Sequence, residues 1–203
     1  MTVYVESNFV LEHSLQQEEC DRCAGLIDFA SKSHISLVVP AFSLAEPYVA
    51  ISSKEKARTR LGNDLRHHLL ELGRSKPHRE VPTTFETLAT TLIASAQFER
   101  DGLRNTVSRL LQTAEIIALD AVILRSASEI QEEFGMAGQD AIVLASVLAH
   151  LDLHNPSESC FLNRNRKDFD DPDIRARLEN YGCVFFGSFE AGFQYVTSRI
   201  QST

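Results

Sequence analysis

Five short runs of unbroken apolar or β-branched residues recur along the chain: VYV at 3–5, ISLVVP at 35–40, AEIIALD at 114–120, CFLN at 160–163 and CVFFG at 183–187. A strand with one face in water alternates polar and apolar residues. An unbroken run is what a strand covered on both faces requires. Helix-like segments separate the runs, as in EECDRCAGLIDFAS at 18–31, where Cys23, Leu26, Ile27 and Ala30 fall on one helical face. The expectation is an α/β, three-layer fold: a central parallel sheet of about five strands, at 3–5, 36–39, 116–119, 160–162 and 183–186, with helices on both faces.

Between the second and third runs, residues 53–113 hold no strand pattern. Two helical segments fill the gap. KARTRLGNDLRHHLLELG ends in Gly73, a candidate C-cap, and the second begins with Thr83 or Thr84 as N-cap beside Glu86. The chain is therefore read as a single domain over 1–203 with a helical insertion over 54–113.

Charge is distributed unevenly. The net charge is −8, yet residues 54–79 alone carry +5, so the rest carries −13. An overall acidic chain does not bind nucleic acid indiscriminately, whereas a concentrated basic face can grip a polyanion. Lys54, Lys56, Arg58, Arg60 and Arg66 on this segment are candidate RNA contacts. A solvated helical face is the plainer reading of the same run. No apolar stretch approaches the roughly 20 residues that span a bilayer, and no basic flank precedes a long apolar stretch at the N-terminus. The expected location is cytoplasmic, with Cys20, Cys23, Cys160 and Cys183 as reduced thiols.

In a parallel sheet, ligands bind at the carboxyl ends of the strands. The residues after each strand are therefore informative. Glu6 and Asn8 follow the first; Glu46 follows the second within PAFSLAE; Asn163, Asn165 and Asp168 follow the fourth. Asp140 opens the apolar helix QDAIVLASVLAH. Each acid has a plain structural role available. Ser43 and Glu46 match a capping box, Asp140 suits a helix dipole, and Asp168, Asp170 and Asp171 precede a helix starting at Pro172. Together, four acids at one edge repel unless a cation joins them. An oxygen-only set selects Mg²⁺ or Mn²⁺, and such ions activate water and neutralise charge on a phosphodiester.

VESN, PAFSLAE, QDAIVLASVLAH and LNRNRKDF together resemble the motifs of PIN-domain ribonucleases, a family that includes toxins of bacterial toxin–antitoxin pairs. The resemblance covers the α/β core, about two thirds of the chain, and its most specific part is QDAIVLAS followed by NRNRKDF. It implies Glu6, Glu46, Asp140 and Asp168 as metal ligands, with Asn8 and Asn165 as polar support in the catalytic site. It also implies Arg164, Arg166 and Lys167 as further phosphate contacts. Glu6 stands where the family usually has Asp, and Asn163 where it usually has Thr or Ser. The implied activity is a Mg²⁺- or Mn²⁺-dependent endoribonuclease. The partners are an RNA substrate, an antitoxin or other protein, and a second copy of the chain in a homodimer, with no membrane. Two alternatives stay open: a catalytically silent PIN-like module that binds RNA or a protein, and a phosphatase of another α/β family, which lacks here the D-x-D nucleophile motif.

Overall fold

The computed structural model describes residues 1–78, 82–165, 169 and 171–201, apart from the side chains of 82–86. Five strands form one parallel sheet in the order β3-β2-β1-β4-β5: β1 Thr2–Val5, β2 Ser36–Pro40, β3 Glu115–Ile117, β4 Ser159–Leu162 and β5 Cys183–Phe186. Among the described residues eight α-helices surround it: α1 Ser7–Ser14, α2 Cys20–Ser31, α3 Ala41–Leu72, α4 Pro82–Thr113, α5 Ala121–Phe134, α6 Gly138–His154, α7 Pro172–Glu179 and α8 Phe189–Gln201.

Alternate residues of each strand feed two separate cores. Val3, Val5, Leu37, Val39, Cys160 and Leu162 pack with side chains of α1, α2, α3, α4 and α8. Tyr4, Val38, Phe161, Cys183 and Phe185 pack with α5, α6 and α7. Both faces are dry, which is why the strands carry no polar alternation. Cys23, Cys160 and Cys183 are free and buried, and Cys20 is free and partly exposed. Burial pushes the Cys183 thiol up to about 12, so it is no nucleophile at neutral pH.

The third strand starts and stops earlier than its sequence predicts. It ends at Ile117, because the chain must turn at Asp120, whose carboxylate accepts the backbone N–H groups of Val122 and Ile123 at 2.9 Å each and caps α5. α5 ends at Gly135 in the left-handed region, φ 64°, where a side chain would strain the backbone.

The helical insertion differs from expectation in two ways. The helix after β2 and the first insertion helix are one 32-residue helix, α3, continuous through Pro47. No Gly, Asn or Asp between Glu46 and Lys54 supplies a stop. Gly73 follows with φ −63° and so does not form a left-handed cap. α4 starts at Pro82, ahead of both threonines expected to cap it; the side chains of Thr83, Thr84 and Glu86 are not among those described. The C-terminal half of α4 belongs to the main core, where Leu103 and Leu110 are fully buried. Gly102 lets α4 approach α1 closely, since a Cβ there would stand 2.2 Å from the Ser14 carbonyl oxygen.

Candidate active site

The chain builds β1, β2 and β3 outward in one direction and then places β4 and β5 on the other side of β1. The direction reverses between β1 and β4, and a crevice opens there beyond the strands' carboxyl ends. Val5 and Leu162 are register partners at this edge. Glu6 and Asn163, the next residues of each strand, therefore meet side by side.

Glu6 is extended, φ −135°, and hands the chain to α1. Its side chain is only 5% exposed, and its Oε1 has no hydrogen-bond partner among the described residues. Burial, then the negative charges of Glu46 and Asp140, raise the Glu6 carboxyl to about 8, while the amides of Asn8 work in the opposite direction. The three acids thus share one electrostatic neighbourhood. A buried carboxylate with a vacant oxygen and two like-charged neighbours is the arrangement a cation resolves.

Each of the other acids is held by a polar side chain. Ser7 Oγ donates to Glu46 Oε2. The capping-box reading of Glu46 fails, because α3 begins at Ala41 with Pro40 as its N-cap and Ser43 lies inside the helix. Asp140 sits in the first turn of α6, whose N-cap is Ala137, and Asn165 Nδ2 donates to its Oδ1 over 3.5 Å. Asn163 is fully buried. Its Oδ1 accepts the backbone N–H of Asn165 at 2.7 Å and a longer bond from Asn8 Nδ2 at 3.5 Å, and its Nδ2 has no partner among the described residues. Asn8, Asn163 and Asn165 thereby join the β1 and β4 ends into one polar floor. Asp171 does cap α7, accepting Asp173 N–H at 2.8 Å with Pro172 behind it. Asp168, Asp170, Arg166 and Lys167 lie outside the described residues.

A groove of about 480 Å³ runs beside this floor, lined by Asn8, Leu11, Glu12, Leu15, Gln17, Lys54, Arg164 and Asn165. Lys54 brings the basic part of α3 to it. Arg164 is not a free cation: its Nη1 donates to Glu12 Oε2 at 2.5 Å, and Glu18 lies 3.6 Å from its Nη2. Although burial works against its charge, Glu12, Glu19 and Glu18 hold Arg164 above the ordinary arginine value. Arg58, expected as an RNA contact, instead pairs with Glu99 and donates to Ser95 at 3.1 Å, bracing α3 against α4. Lys56 and Arg60 are exposed, and Arg66 is partly so.

Ser7, Asn163 and the buried Glu12 are contributors that the sequence did not single out as such. Ser7 is flanked by Glu6 and Asn8, which is the one local hint. Taken together, the molecule is a three-layer α/β protein with an acidic pocket at the switch point of its sheet. No protein-family model matches the chain, and no curated protein matches it.

Proposed function

We propose that the chain is a PIN-like, Mg²⁺- or Mn²⁺-dependent endoribonuclease. The observation that carries the reading is the buried, partnerless Oε1 of Glu6 in the field of Glu46 and Asp140. The donor set fits a hard divalent cation, since it is made of carboxylates and amide oxygens. Glu6, Glu46 and Asp140 would hold the ion, joined by Asp168 on the strength of its sequence motif alone. Such an ion supplies charge neutralisation at a phosphodiester and acidifies water. The chain's own residues do the rest: Ser7 and Asn165 orient Glu46 and Asp140, the asparagine floor fixes the distance between strand ends, and Lys54 offers a positive charge along the groove.

A silent module that binds RNA or a protein is the second reading. It is favoured by the burial of Glu6, because a carboxyl raised to about 8 is mostly protonated and neutral at pH 7 without an ion. Incubating the full chain with a panel of labelled RNAs across a Mn²⁺ titration separates the two. The nuclease reading expects cleavage that chelation abolishes and that Asp140→Asn removes. RNA binding with no cleavage in any metal supports the silent module.

A further inference from the structure

Away from the acidic edge, three metal-ligand side chains from two elements converge. Glu115 opens β3, and His150 and His154 lie one turn apart near the end of α6, roughly 15–21 Å along that helix from Asp140. Spacing of four residues puts both imidazoles on one helical face. His150 Nε2 is 3.2 Å and His154 Nε2 3.9 Å from the same oxygen, Glu115 Oε1. The three ligand atoms all lie within 4.8 Å of one another. The two rings stack, with centroids 4.1 Å apart and planes 20° from parallel.

The buried ring is held from behind. His150 Nδ1 is 2.8 Å from the hydroxyl of Tyr4, and the rings meet edge to face. Tyr4 is fully buried, and burial, with the charges of Cys183 and Glu115, raises its phenol far above the ordinary value. A neutral tyrosine hydroxyl can accept the Nδ1–H, which leaves the lone pair of His150 on Nε2, facing Glu115. Metal-binding histidines are oriented in this way by a partner on the other ring nitrogen. A shared carboxylate alone accounts for His150 but not for His154. That side chain is 47% exposed and has water on offer, yet it lies flat against a second imidazole with its Nε2 turned to the same oxygen.

We propose that Glu115, His150 and His154 form a second metal site, selective for a borderline transition ion, Zn²⁺ foremost. Two imidazoles and one carboxylate, with a fourth position open to solvent, suit zinc; the oxygen-only acids at the other edge suit Mg²⁺ or Mn²⁺. An ion here ties β3, a three-residue strand bonded only to β2, to α6.

The metal-free full chain is titrated with Zn²⁺ in competition with a chromophoric chelator. Wild type and Asp140→Asn are expected to take up one Zn²⁺ with equal affinity, and His154→Ala and Glu115→Gln each to weaken uptake by about tenfold or more. Both substituted side chains are about half exposed, so circular dichroism should show intact folds. The proposal is overturned if wild type takes up no Zn²⁺, if either His154→Ala or Glu115→Gln binds as tightly as wild type, or if Asp140→Asn abolishes uptake. The readout is metal affinity, so it stands apart from any ribonuclease activity.

Discussion

The hydroxyl of Ser7, in the first turn of α1, donates to the Glu46 carboxylate in α3 and so ties the end of β1 to the helix that follows β2. Two separate strand ends thereby deliver acids at a fixed spacing. Ser7→Ala removes the tie and leaves Glu46 to like-charge repulsion from Glu6 and Asp140. A hydrogen bond to a charged group contributes about 1.5–3 kcal/mol, so the expected outcome is a fall in stability of about 1.5 kcal/mol with weaker Mn²⁺ binding. Denaturant unfolding and calorimetry check the two effects separately.

Asp140→Asn changes one ligand and one repulsive charge together. Mn²⁺ affinity should drop by about tenfold or more, while the metal-free protein unfolds no more easily than wild type, because Asp140 raises the cost of ionising Glu6. Unchanged Mn²⁺ affinity by calorimetry would remove the case for an acidic metal site.

Glu6 makes a pH signature. Its folded carboxyl titrates near 8, above the ordinary 4.5, so between those values the native state binds more protons than the unfolded one. Stability of the metal-free protein therefore falls as pH rises across that window, by up to about 1.4 kcal/mol per pH unit from this group. Glu6→Gln, neutral throughout, should flatten that part of the profile. Chemical denaturation in chelator at pH 5, 6, 7 and 8, values chosen as roughly the span of the shift, makes the comparison; parallel profiles for the two proteins would show that Glu6 ionises normally.

The sheet was readable because strands buried on both faces must be unbroken apolar runs, and all five runs form strands. The acids were readable because a parallel sheet gathers whatever follows its strands. Ser7 and Asn163 were not, since a serine or an asparagine after a strand carries no mark of its partner until β1 and β4 are known to be neighbours. Glu115 was hidden for a similar reason. The i, i+4 pair His150 and His154 stood in the sequence as AHLDLH, but only the packing of α6 near β3 brings it a carboxylate. Arg58 misled because a basic run reads as one face, whereas α4 claims part of it through Glu99.

The basic segment thus divides. Lys54→Glu with Arg60→Glu should weaken RNA binding and lower the slope of log K against log salt by about 0.7 for each phosphate that is no longer neutralised. Arg58→Ala should instead destabilise by about 2 kcal/mol, since it strands a nearly buried Glu99. Salt-dependent binding and thermal unfolding of the two variants distinguish these roles.

Glu6 carries the central claim, so the most direct test is the turnover of labelled RNA by wild type and Glu6→Asp in Mn²⁺ and in Mg²⁺. Mg²⁺ demands near-ideal octahedral geometry, and the longer glutamate arm suits the more tolerant ion. The account predicts a wild type that cleaves better in Mn²⁺ than in Mg²⁺, and a Glu6→Asp variant with altered turnover or altered metal preference. Wild type and variant equally inactive in both metals, with RNA still bound, would contradict it.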